Sequence, residues 1–167
     1  MKNYATFYES LTEPIRTRPR LIRLIKWTNI FITRLMPILY LALLVYLFWS
    51  QKTIRILGSY IVVPGTAFIL LSLARRILNS PRPYEVWKIQ PLITKQTKGQ
   101  SMPSRHVFSA VIISVCVLRV TIGGGIFLLI LSALLAFCRV LGGVHYPKDV
   151  IVGYLIGLAA GSLLFLA

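Results

Sequence analysis

The sequence is 167 residues long, 56% hydrophobic, and carries 19 Lys and Arg against 4 Asp and Glu, for a formal net charge of +15. That length suggests one domain, and a mean hydropathy of +0.74 excludes an ordinary soluble protein in favour of an integral membrane protein. On such a chain the positive charge implies anionic lipid headgroups or a phosphate-bearing substrate. Nucleic acid is disfavoured, because no recognised binding motif accompanies the charge and the basic residues are split among segments.

Residues 1–34 read as a basic leader in which Arg16, Arg18, Arg20, Arg23, Lys26 and Arg34 are interleaved with Leu21, Ile22, Leu24, Ile25, Trp27, Ile30 and Phe31. From Leu21 the mixture suits an amphipathic interfacial helix running into the first span, against the plainer reading of a solvated juxtamembrane arm. No cleavable signal peptide is expected, because the first hydrophobic run follows a long basic stretch containing proline. Residues 35–167 then form the transmembrane domain. Apolar segments are expected at about Leu35–Ser50, Ile56–Ala74, Val107–Val120, Ile122–Phe137 and Val150–Ala167, with Pro64-Gly65 kinking the second. The fold class is therefore all-α, a polytopic bundle of about five transmembrane helices preceded by the amphipathic helix. Cys116 and Cys138 lie in or beside spans without metal-type spacing and read as free packing thiols.

The residues with chemistry gather at span ends. Pro147 suits the first turn of a helix that begins near Tyr146, which puts Asp149 in that turn, where N–H groups favour a carboxylate. From there it can reach back to His145, fix the imidazole tautomer and leave the other ring nitrogen free to attack. Arg139 ends the preceding span and is a natural anion ligand. Arg75 closes the second span seven residues before Arg82, which sits between Pro81 and Pro83 in chain that each proline biases away from helix. Two guanidiniums there can clamp a phosphate. The polar loop of residues 75–103 ends in Pro103-Ser104-Arg105-His106, where Ser104 can cap a new helix and His106 can donate a proton. With five spans, the connections after the second and the fourth face one compartment, so these motifs make one site. In the last span Gly153, Gly157 and Gly161 recur every four residues, a strip for close helix packing within the chain or, alternatively, for a homodimer contact.

These three motifs resemble those of the type 2 phosphatidic acid phosphatase family of membrane lipid phosphatases, which shares its site with vanadium haloperoxidases. The family pattern runs Lys-x6-Arg-Pro, Pro-Ser-Gly-His and Ser-Arg-x5-His-x3-Asp. Here it reads Arg75-x6-Arg82-Pro83, Pro103-Ser104-Arg105-His106 and Cys138-Arg139-x5-His145-x3-Asp149, within roughly residues 56–167. The resemblance implies that His145 is the nucleophile, oriented by Asp149, and that His106 is the acid and then the base. Arg75, Arg82, Ser104 and Arg139 would hold the phosphoryl oxygens, with neither metal nor cofactor. Arg75, Arg105 and Cys138 stand where the family has Lys, Gly and Ser. The Arg105 guanidinium is a candidate ligand for a second phosphate.

The expected activity is hydrolysis of a membrane lipid phosphate or diphosphate such as undecaprenyl diphosphate, phosphatidylglycerol phosphate or phosphatidic acid. A non-catalytic lipid-phosphate binder is the alternative that the three departures motivate. The resemblance puts the site outside the cytoplasmic membrane, whereas the basic leader, on the same side, favours the cytoplasm. The outward-facing site is the expectation carried forward.

Overall fold

The computed structural model describes residues 3–50 and 53–166, and its described elements are all helical. The first, α1 (Tyr4–Arg16), begins where the Asn3 side chain accepts the Thr6 N–H and buries Tyr4, Tyr8 and Thr12, one face at a spacing of four. Then α2 (Pro19–Trp49) opens on Pro19 at its first position and runs 31 residues, about 46 Å, through the expected boundary at residues 34 and 35 without a break. Its basic first turns and its apolar remainder form one helix. Trp27 and Phe31 stack on its exposed side with ring centroids 4.9 Å apart.

The next helix, α3 (Ile54–Leu78), continues through Pro64 and stops at Asn79, which takes a left-handed conformation and donates its N–H to Arg75 O. A single turn, α4 (Pro83–Val86), interrupts the loop that follows. The hairpin of α5 (Arg105–Val120) and α6 (Ile122–Leu141) leads into α7 (Pro147–Ser162), which ends in a 3-10 turn over Leu163–Phe165.

Among the described residues, four helical stretches are long and apolar enough to cross a membrane: Pro19–Trp49, Ile54–Val86, Ile122–Leu141 and Pro147–Phe165. The fifth helix of the bundle, α5, has only 16 residues, about 24 Å, and is the central one. It packs against α2, α3, α6 and α7. Val107, Phe108 and the unbroken run from Ala110 to Cys116 are buried. The outer helices instead expose Ile38, Leu41, Ile61, Val62, Ile69 and Leu70, an apolar surface suited to lipid. The chain is a multi-pass membrane protein.

Close approach of α5 and α7 depends on the glycine strip. A Cβ on Gly153 would lie 2.7 Å from Ser104 O, one on Gly157 2.8 Å from Val111 Cβ, and one on Gly161 2.7 Å from Val115 Cβ. All three glycines are buried. The strip is thus filled by α5 of the same chain, which leaves no face there for the alternative homodimer contact. Polar links tie the bundle further: Ser114 Oγ lies 3.1 Å from Ser132 Oγ, and Tyr154 donates to Leu129 O at 3.1 Å. Such bonds between helices take the place of a hydrophobic driving force that lipid cannot supply.

Candidate active site

The C-terminal ends of α3 and α6 and the N-terminal ends of α5 and α7 meet at one end of the bundle, and all the motif residues come with them. His145 is 1% exposed and Asp149 fully buried. As expected, Tyr146 occupies the N-cap of α7, Pro147 follows it, and Asp149 Oδ2 accepts the Tyr146 N–H at 3.0 Å. The carboxylate does not reach the imidazole directly. Asp149 Oδ2 stands 3.6 Å from His145 Nδ1, beyond hydrogen-bond range, and Ser101 closes the gap. Its hydroxyl donates to Asp149 Oδ2 and lies 3.4 Å from Nδ1. Ser101 was not visible as a site residue in the sequence; its only signal was a position three before the Ser104 motif.

The opposite ring nitrogen, Nε2, faces Arg139 Nη2 at 3.5 Å, and Arg139 Nη1 donates to Asn29 Oδ1 on α2 at 3.2 Å. Burial holds the His145 pKa well below its ordinary value; Arg139 and Arg82 push the same way, against the Asp149 carboxylate. The ring is therefore neutral at physiological pH and keeps a lone pair for attack.

Around Nε2 lies a polar cavity of about 210 Å³ whose lining includes Arg75, Arg82, Arg139, His106 and His145. Arg105, Lys95 and Lys98 complete its positive wall, and among the described residues no acid lines it. Arg82, in extended backbone, donates from Nε to Gly99 O at 3.1 Å and from Nη1 to Val144 O at 3.2 Å. Glu85 accepts the Arg82 and Gly99 N–H groups at 3.0 and 2.8 Å, so it holds loop backbone and neutralises none of the cavity's cations directly. Arg75 donates to the carbonyls of Gln100, Ser101 and Pro103.

Ser104 departs from its expected capping role. It occupies the N-cap of α5, yet its hydroxyl makes no cap bond and is buried without a partner among the described residues. The backbone is what is fixed there, through Ser104 N to Asp149 O at 2.8 Å. Arg105 is exposed, with its guanidinium carbon 5.7 Å from the centroid of the Phe68 ring. With His106 it borders a second, apolar cavity of about 290 Å³ formed by Ile32, Met36, Phe68 and Leu135 among others. Among the described residues, no cluster of three or more His, Cys, Asp or Glu could hold a metal ion.

The leader contributes a part no motif marked. Tyr8 donates to Leu141 O at 2.9 Å and accepts the Leu92 N–H at 3.2 Å, while the Tyr4 ring lies 4.7 Å from that of Tyr146, nearly edge-on. Gly143, at φ 72°, leaves room for this docking, since a Cβ there would sit 2.8 Å from the Tyr8 hydroxyl. Thus α1 braces the loop that carries His145.

Helices with a lipid-facing surface, converging on a histidine in a cation-lined cavity, define a membrane phosphatase. Residues 52–167 match the PAP2 superfamily, and the chain belongs to that superfamily. Its fold is similar to that in the crystal structure of Aquifex aeolicus LpxE, with a TM-score of 0.68 at 24% identity over 89% of this chain and 94% of that one. It is also similar to the first transmembrane PAP2 type phosphatidylglycerolphosphate phosphatase from Bacillus subtilis, with a TM-score of 0.72 at 20% identity over 96% of this chain and 83% of that one. Comparison with curated proteins gave no match.

Proposed function

We propose that the chain hydrolyses the phosphate ester or anhydride of a membrane lipid through a phosphohistidine on His145. The observation that carries this is the pairing of His145: Nδ1 beside the Ser101 hydroxyl that donates to Asp149, Nε2 beside Arg139 at the wall of the cationic cavity. Nε2 attacks phosphorus as the bond to the lipid oxygen breaks, His106 protonates that oxygen, and Arg82 and Arg139 balance the charge on the phosphoryl oxygens. Water then attacks the phosphohistidine, with His106 taking its proton, and inorganic phosphate leaves.

His106 borders both cavities, which suits protonation of an oxygen between a headgroup in the polar cavity and a chain in the apolar one. Phosphatidylglycerol phosphate, phosphatidic acid and undecaprenyl diphosphate all fit that division. His145→Ala should abolish phosphate release while the protein still inserts, and denaturing the wild type during turnover should trap phosphate on His145. Substantial release by the variant, or its dependence on an added divalent metal in the wild type, would overturn the reading.

The site faces outward in this proposal. Lys88 is exposed on the loop and both native cysteines are buried, so Lys88→Cys reports its side. Labelling by an impermeant thiol reagent in intact cells is expected; labelling only after permeabilisation would place the site in the cytoplasm.

A further inference from the structure

Among the cavity's cations Lys95 stands apart. It belongs to no motif, lies in non-helical chain between α4 and α5, and makes no hydrogen bond or ion pair with any described residue. Yet its position is not that of a loose surface lysine. The loop is pinned just before it, where Leu92 N donates to Tyr8 Oη at 3.2 Å and Ile93 N donates to Gly142 O at 3.1 Å, with Leu92 buried between them. Both anchors belong to the structure that positions His145: Gly142 precedes it by three residues, and Tyr8 braces the end of α6. Lys95 is half-buried and lines the cavity that His145 and His106 also line.

Arg75 shows the complementary commitment. Its guanidinium donates to three successive parts of the segment ahead of α5, the carbonyls of Gln100, Ser101 and Pro103. A planar fork used to hold backbone has fewer N–H groups left for an anion. The Lys95 ammonium keeps all three of its donors.

We propose that Lys95 is a phosphate-binding residue of this site, its ammonium gripping the phosphoryl group that His145 attacks, while Arg75 serves mainly to hold the Gln100–Pro103 segment in place. This rests on the phosphatase reading above. The electrostatics agree with it: an ammonium facing only like charges is repelled until an anion arrives, and the anion then removes the repulsion. Arg139 from α6, Arg82 ahead of α4, Arg75 from α3 and Arg105 from α5 all face Lys95. Lys98 of its own loop and the two histidines border the same space. Burial first, and then those four arginines, push the Lys95 pKa down to about 8. The free site therefore holds a cation there below about pH 8 and loses it above. The second ionisation of the substrate phosphate is common to every variant, so a change in affinity near pH 8 that Lys95→Arg loses belongs to the enzyme.

The experiment compares wild type, Lys95→Met, Lys95→Arg and Lys88→Met in detergent micelles with phosphatidic acid as substrate and inorganic phosphate as competitive inhibitor, from pH 6 to 10. At pH 7, Lys95→Met should raise KM and the inhibition constant of phosphate by about 10- to 100-fold, the range for losing a charge-assisted contact. Lys88→Met, on the exposed face of the same loop, should match wild type. The wild-type KM should climb as pH passes 8. In Lys95→Arg, whose charge does not titrate there, that climb should vanish while binding at pH 7 persists. Wild-type constants in Lys95→Met, or an undiminished climb in Lys95→Arg, would overturn the assignment. If Lys95→Met does not fold, the pH profile of Lys95→Arg decides alone. Absence of phosphate release by wild type from every lipid phosphate tried would instead refute the phosphatase reading, a separate outcome.

Discussion

Gly153→Ala tests whether the site depends on how closely α5 approaches α7. The added Cβ would lie 2.7 Å from Ser104 O and 3.2 Å from Ser104 N, both backbone atoms that cannot rotate aside. Ordinary contact begins at 3.4 Å, so the start of α5 must retreat by about 0.7 Å. Overpacking of this kind costs about 1–3 kcal/mol, and replacing a helical glycine by alanine returns up to about 1 kcal/mol. The net loss of stability is thus about 0–3 kcal/mol, below the about 5–15 kcal/mol that separates a typical folded protein from its unfolded state. The functional loss is larger. Ser104 is bonded to Asp149 O at 2.8 Å, and Arg105 and His106 follow it directly, so the shift separates His106 from the His145 side of the cavity. A misplacement of about 1 Å can cost about 100-fold, so kcat should fall by about 10- to 100-fold. Phosphate release in detergent measures this, alongside thermal unfolding of the same preparation. Gly65→Ala, with nothing within 4 Å of the added carbon, is the control and should keep full activity. Wild-type kcat in Gly153→Ala would refute the claim that this contact sets the catalytic geometry.

Three further substitutions probe other parts of the site. Ser101→Ala removes the hydroxyl that bridges Asp149 and His145 and should lower kcat by about 10- to 100-fold with KM little changed, whereas Ser101→Thr retains activity; equal kcat in Ser101→Ala and wild type would discard the bridge. Tyr8→Phe strands the Leu92 N–H and the Leu141 carbonyl, at about 1–3 kcal/mol for each unsatisfied group, so melting should drop and KM rise; an unchanged melt would show that α1 is not a brace. Arg105→Gly should weaken turnover of a diphosphate lipid by about 1–3 kcal/mol more than that of a monophosphate, and equal losses would remove its assignment to a second phosphate.

The chemistry was legible in the sequence to the extent that local rules position it. Pro147 announces the start of α7, and Tyr146 and Asp149 take their cap positions from it. Arg82 is extended because it sits between prolines. Length and hydropathy marked the spans, and the helix expected to run from Leu21 into the first of them begins at Pro19 and continues to Trp49, because Arg20, Arg23, Lys26 and Arg34 depress the local hydropathy without interrupting it. Ser101 and Asn29 were invisible for a different reason. Each owes its role to a partner distant in sequence, as in the 110 residues between Asn29 and Arg139, and no periodicity encodes such a meeting. The docking of α1 is of the same kind, since its buried Tyr4, Tyr8 and Thr12 show a face but not what the face meets.

The central position of α5 bears on which substitutions the protein can accept. A lipid-facing position asks only that a side chain be apolar, and α3 has many of these: of its 25 residues only Tyr60, Pro64, Leu71 and Arg75 are buried. Leucine, isoleucine, valine and phenylalanine should interchange freely over most of that helix. On α5 the buried run from Ala110 to Cys116 covers every side of the helix, so each residue there is fitted by volume and shape to a different neighbour. Related sequences should therefore drift fastest on the helices most obviously built for the membrane, and slowest on the short one at the centre.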